Sequence, residues 1–252
     1  MQSEDAMFTP RADRLMPELT PEEELVLLAR TLWSEGYDDH IAGHITYALG
    51  DGTLLCTPWY LLWSELRPEH VIRIDLDGGV VEGEWPAPLG IPLHLELHRA
   101  RHDVAVAVHN HPRFGTVWAD AGRVPPVYDQ SSALGGGELV VVDEYDGAVN
   151  LASNAAAVVA AIGDADLALL AHHGVFVLAG SIRAAHQRAV ALEHRCRTAW
   201  HVEALGTGTP LTGPAAAMFR NSDGEGFVGF WEAMVRAELA RDPTLVPRSM
   251  QG

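Results

Sequence analysis

Residues 104–112 read Val-Ala-Val-Ala-Val-His-Asn-His-Pro, and the two histidines are the side chains here from which chemistry can be built. The alternating apolar run predicts a β-strand. Strand side chains alternate faces, so His109 and His111 share one face and Asn110 takes the other. Two neutral imidazoles about 6–7 Å apart at Cβ can converge on one divalent cation. Pro112 ends the ladder where they emerge. The alternative is a pair of hydrogen-bonded histidines at a strand end. A third imidazole is expected from Leu167 to His173, read as a second buried strand that places Leu167, Leu169, Ala171 and His173 on one face. Gly174 then lets a backbone or a substrate approach closely. Three histidines with open coordination positions form a catalytic type of metal site. One divalent ion per subunit is expected, zinc first, with iron, manganese or cobalt as alternatives.

Other histidines fit this site less well. His172 points off the face. His94 and His98 stand four apart on a helix, but Leu95 occupies the place where a zincin carries its glutamate. Glu96 lies about 200° around the helix from His94. The pair is expected at the surface or behind the ligands. His186, His194 and His201 lie on a long helix without a shared turn and are expected to be solvated or interfacial. Gly135-Gly136-Gly137 reads as a flexible loop. No nucleophile elbow, phosphate loop or dinucleotide fingerprint occurs in the chain.

The elements that must position these residues are legible in order. Thr20-Pro21-Glu22-Glu23 is a capping box opening a helix to Gly36. Ile45–Leu49 and Leu54–Thr57 flank an Asp-Gly turn as a hairpin, and Val71–Leu76 with Val80-Val81 form another. Helices are expected over Leu93–Arg101, Phe114–Ala121, Asn154–Ile162 (capped by Ser153) and Ser181 to about Leu205. Leu139–Val142 is a strand entering a loop from Asp143 to Gly147. Residues 206–222 are a linker by composition, followed by a helix from about Gly226 to Ala240. Three parts result: an arm over 1–19, a catalytic domain over 20–205, and a linker with a C-terminal helix and tail over 206–252.

Charge narrows the function classes. A formal net charge of −17 argues against nucleic acid and against anionic membrane surfaces as partners. Two distant cysteines suggest no disulfide framework. With no long apolar run and no leader-like start, the expected location is the cytoplasm.

With His109-Asn110-His111, then His173-Gly174 and a long helix after it, the chain resembles the class II aldolase and adducin-head family over roughly residues 20–205. Further markers are Gly43-His44-Ile45-Thr46, Asp75-Leu76-Asp77-Gly78, Leu93-His94 and the run from Arg99 to Val104. The resemblance implies an α/β fold, a three-layer α/β/α sandwich with a mainly antiparallel central sheet. It also implies a homo-oligomer, often a tetramer, and His109, His111 and His173 as metal ligands. The family's sugar-phosphate aldolases carry Ser-Ser-Glu before the helix that leads to the His-x-His strand. Here that segment is Pro88-Leu89-Gly90, so the acid/base glutamate is replaced by Gly90. The phosphate turn is replaced by Thr57-Pro58-Trp59-Tyr60, and the asparagine of another phosphate motif by His44. Phosphate needs hydrogen-bond donors or cations, and these positions offer few. An unphosphorylated, partly apolar or aromatic small-molecule substrate is expected, bound near Gly90 with Trp59, Tyr60 and Trp63 as walls, though the same aromatics could pack a core or a subunit contact.

Without the carboxylate, decarboxylation through a metal-stabilised enolate fits better than chemistry that needs a strong base, and only a proton donor is then required. Tyr128, Asp129 and His44 are the candidates. The expected activity is a divalent-metal carbon–carbon lyase, decarboxylase- or aldolase-like, on a hydroxy- or oxo-carboxylate. A mononuclear non-heme iron oxygenase and a non-catalytic adducin-like interaction module are the alternatives.

Overall fold

The computed structural model describes residues 16–143, 152–220 and 229–246. Its helices are α1 (Pro21–Ser34), α2 (Ile91–Ala100), α3 (Arg113–Asp120), α4 (Gln130–Ala133), α5 (Ala152–Ile162), α6 (Ile182–Ala204), α7 (Gly213–Arg220) and α8 (Phe230–Arg241). Its strands are β1 (His44–Ala48), β2 (Thr53–Cys56), β3 (Ile72–Asp75), β4 (Val80–Glu82), β5 (Val106–Asn110), β6 (Leu139–Val142), β7 (Leu167–Leu170) and β8 (Gly174–Ala179). They form one sheet in the order β4-β3-β2-β1-β5-β8-β7-β6. Every neighbouring pair is antiparallel except β6 and β7, which are parallel and joined through α5.

Side-chain alternation sorts this sheet between two helical layers. Val106, Val108, Val175 and Val177 face the core built with α1 and α6. Ala107, Phe176 and Leu178 face the opposite core, built with α2 and α5. The expected three-layer α/β sandwich is therefore the observed one. The Thr20 capping box forms, with Glu23 accepting from the Thr20 amide at 2.7 Å. Ser181 caps α6 as expected.

Three local readings change. Leu167–His173 is not one strand: β7 ends at Leu170, and residues 171–173 are a turn into β8. That turn carries His172 at φ 58°. The stretch read as linker contains α7, and Asp129 opens the unexpected short helix α4. The C-terminal residues Trp231, Val235, Leu245 and Val246 pack into the same core as α1. Arg30 Nε donates to Glu238 Oε1 at 2.6 Å, tying α8 to α1. The expected arm up to residue 15, most of the Asp143–Gly147 loop and the helix start at Gly226 lie outside the described residues.

Candidate metal centre

The site forms where the middle of the sheet meets its end. His109, the next-to-last residue of β5, lies beside His44 of β1, its register partner. His111 lies one residue beyond the strand, and His173 arrives from the β7–β8 turn. The three offer ligand nitrogens that all lie within 4.8 Å of one another, so the expected trio converges. His173 reaches the cluster by the turn rather than by strand alternation. Gly174 makes this close approach possible: a Cβ there would lie 2.4 Å from His111 Cδ2 and 2.6 Å from the Asn110 carbonyl oxygen.

Hydrogen bonds aim two of the rings. His109 Nδ1 lies 2.9 Å from the Val175 carbonyl oxygen, and His111 Nδ1 lies 2.7 Å from Asp39 Oδ2. Both partners only accept, so each Nδ1 carries the proton and each Nε2 keeps its lone pair. His111 Nε2 is buried and has no hydrogen-bond partner among the described residues. Burial, reinforced by the neighbouring imidazoles, holds His109 well below the usual histidine range and His173 at about 4. Three imidazoles gathered this closely, two of them held by hydrogen bonds at Nδ1, fit a divalent cation. Asp39, which the sequence reading missed, is the partner that orients His111. Its own pKa is raised by burial but lowered more by the hydrogen bonds from His40 and His111.

Beside the trio, the ring of His44 lies 5.0 Å from that of His109 and 4.6 Å from that of His94. Burial lowers its pKa to about 4. A Cβ at Gly90 would lie 2.6 Å from both Cε1 and Nε2 of His44. The His44 ring thus fills the space into which a side chain at position 90 would grow. His94 and His98 are buried, not at the surface. The Thr46 hydroxyl lies 2.8 Å from His94 Nδ1 and 2.8 Å from His98 Nε2, so one β1 residue joins both α2 histidines. The two imidazoles face the sheet because four-residue spacing puts them on one side of α2.

The remaining candidates are placed elsewhere. Asp129 caps α4, accepting from the Ser132 amide at 2.8 Å, and pairs with His194 at 3.3 Å. Tyr128 packs against the main core and against Gly208. No contact among the described residues brings either to the histidine trio. The Trp59 amide donates to Pro86 O at 2.9 Å, which sets the Trp59-Tyr60 turn beside the segment leading to Gly90. Tyr60 is 63% exposed and sits at φ 77°, a strained conformation for a side-chain-bearing residue. Trp63, by contrast, is a core residue whose indole donates to Gly43 O.

A mainly antiparallel sheet between helical layers, with histidines gathered at a strand end and a turn, defines an α/β domain of the class II aldolase type. The chain belongs to the class II aldolase and adducin N-terminal domain family, whose profile matches residues 23–200. It is 32% identical over 182 residues to a 5-methylthioribulose-1-phosphate/5-deoxyribulose-1-phosphate aldolase of Rhodospirillum rubrum, covering 70% of this chain and 78% of that one. It is also 32% identical over 187 residues to a 3,4-dihydroxyphthalate decarboxylase of Arthrobacter keyseri, covering 68% and 74%. Among solved structures, an L-fuculose 1-phosphate aldolase of Glaciozyma antarctica superposes with a TM-score of 0.77 at 20% identity, covering 93% of this chain and 98% of that one. The relatives thus include both aldolases and decarboxylases. No helix among the described residues is long and apolar enough to cross a membrane.

Proposed function

We propose that this chain is a divalent-metal-dependent carbon–carbon lyase of the decarboxylase kind, acting on an unphosphorylated hydroxy- or oxo-carboxylate with an aromatic or otherwise apolar body. The observation that carries the reading is the packing of His44 onto Gly90. Position 90 supplies no carboxylate, and the imidazole occupies the volume that one would need. His109, His111 and His173 would hold the ion, which when bound supplies Lewis-acid polarisation of a substrate oxygen. Asp39 and the Val175 carbonyl keep the ligand rings oriented.

His44 is the proton-handling group next to the trio. It would hand the proton on one ring nitrogen to the carbon that CO₂ leaves, with water supplying the replacement proton to the ring. It takes this role ahead of Tyr128 and Asp129, which are engaged elsewhere. Trp59, Tyr60 and the exposed Leu89 offer an apolar lip in place of phosphate donors. The 3,4-dihydroxyphthalate decarboxylase is a relative whose named substrate is of this class. The active assembly is a homo-oligomer, a tetramer by family resemblance, working in the cytoplasm.

The test is elemental analysis of the purified protein, followed by a screen for CO₂ release from aromatic and aliphatic hydroxy- and oxo-carboxylates, with 1-phosphorylated ketoses in parallel. Metal-dependent CO₂ release from an unphosphorylated acid is expected, and a His44→Gln variant should keep its metal but lose turnover. Cleavage of a phosphorylated ketose alone, or no CO₂ from any acid, overturns the reading.

A further inference from the structure

On the opposite helical layer, α4, α6 and α8, with Glu35 at the end of α1, line a partly open pocket of about 500 Å³. Its wall is mostly apolar, with Leu134, Val190, Ala191, Phe230 and Met234 contributing. None of the metal-site histidines lines it. Two buried polar side chains do: Gln187, whose amide donates to the Leu134 carbonyl oxygen at 2.7 Å, and His186, on α6, which is 2% exposed and has no hydrogen-bond partner at either ring nitrogen among the described residues. The Trp231 ring, 5.3 Å from that of His186, packs beside it. The sequence reading expected this histidine to be solvated or interfacial. Instead it is buried with both polar atoms unsatisfied, an arrangement that ordinarily costs stability.

We infer that this cavity is a second binding site, taking a neutral, largely apolar small molecule whose single hydroxyl hydrogen-bonds to His186. The volume is that of a small-molecule pocket, and the wall matches an aromatic or aliphatic body. The polar contact follows from the imidazole. Burial lowers its pKa to about 4, so at neutral pH it offers one N–H donor and one lone pair. A hydroxyl can donate or accept, so it satisfies whichever nitrogen it meets. A carboxylate would lose its hydration among apolar walls without a counter-ion from His186, and would meet the Glu35 side chain, which also lines the cavity.

The probe is 2-naphthol, titrated into the intact protein by calorimetry, with the metal content determined in parallel. The expected result is saturable binding of one molecule per chain in the micromolar range. His186→Phe keeps the ring but removes both nitrogens. It should weaken binding at least tenfold, leave the metal content unchanged and leave the melting temperature equal or higher. Ala233 is exposed and lines the cavity, so Ala233→Trp obstructs it without touching the core and should also weaken binding at least tenfold. No saturable binding up to about 1 mM, or binding to both variants as tight as to the parent, overturns the inference. A loss in Ala233→Trp alone shows an apolar cavity without the His186 bond, and overturns the ligand class.

Discussion

The Asp39 carboxylate should control metal affinity although it does not join the three histidines. Its Oδ2 lies 2.7 Å from His111 Nδ1, a charge-assisted hydrogen bond that fixes both the tautomer and the ring orientation. A hydrogen bond to a charged group is worth about 1.5–3 kcal/mol and a neutral one about 0.5–1.5 kcal/mol. Asp39→Asn, which keeps an oxygen acceptor but loses the charge, should therefore cost about 1–1.5 kcal/mol of metal binding. The lower half of the range applies because the Asp39 side chain is 37% exposed and partly screened by solvent. This corresponds to an ion bound about five- to eightfold more weakly. Asp39→Ala removes the acceptor and should approach a hundredfold, the upper end seen when such orienting partners are lost. The assay is competition for Zn²⁺ against a chromophoric chelator, with urea unfolding of the metal-free protein as control. The metal-free variants should unfold within about 0.5 kcal/mol of the parent, as expected for a surface position. If Asp39→Ala binds Zn²⁺ as tightly as the parent, Asp39 does not orient His111 and the reasoning fails.

Three further outcomes follow from single contacts. Gly174→Ala places a methyl 2.4 Å from His111 Cδ2 and 2.6 Å from a backbone oxygen, well inside van der Waals range. Equilibrium unfolding should show a loss of about 1–3 kcal/mol, and chelator competition should show weakened metal binding. Gly90→Ala should push the His44 ring aside, lowering turnover while elemental analysis finds the metal retained. Glu193 accepts from the amides of Phe114 and Gly115 at the start of α3. Burial, only partly opposed by those bonds, raises its pKa from the ordinary 4.5 to about 7. It therefore binds a proton more tightly when folded. Its contribution to stability is fully present below pH 4.5 and is lost as pH rises through about 7, by an amount on the order of 3 kcal/mol. Urea midpoints between pH 5 and 8 should fall more steeply in the parent than in Glu193→Gln, and parallel slopes would refute this.

The local grammar of the chain was enough to locate most elements and two of the three clustered histidines. His109 and His111 follow from period-two alternation on a strand whose apolar run is unambiguous. The Thr20 and Ser181 caps follow from hydrogen-bonding chemistry that acts within four residues. Gly174 and Gly90 were visible as positions without side chains, and the pattern of resemblance indicated which carboxylate was missing.

What lay beyond that grammar was everything set by contact between distant segments. His173 does lie beside His109 and His111, but not through the strand alternation that suggested it. A β7–β8 turn through His172 delivers it, and no local signal separates that turn from a continuing strand of alanine and histidine. Thr46 hidden between His94 and His98, Asp39 behind His111, and His44 filling the space at Gly90 each join residues far apart in sequence. Only the antiparallel pairing of β1 with β5 and the packing of α2 on the sheet bring those groups within hydrogen-bond or van der Waals reach. His186 shows the same division: its place on a helix was evident, but burial depends on α8 closing over α6. Secondary structure was written locally because backbone preferences and alternation act over a few residues. The environment of each imidazole was decided by the tertiary fold, because burial and hydrogen-bond partners come from segments the chain brings together only on folding.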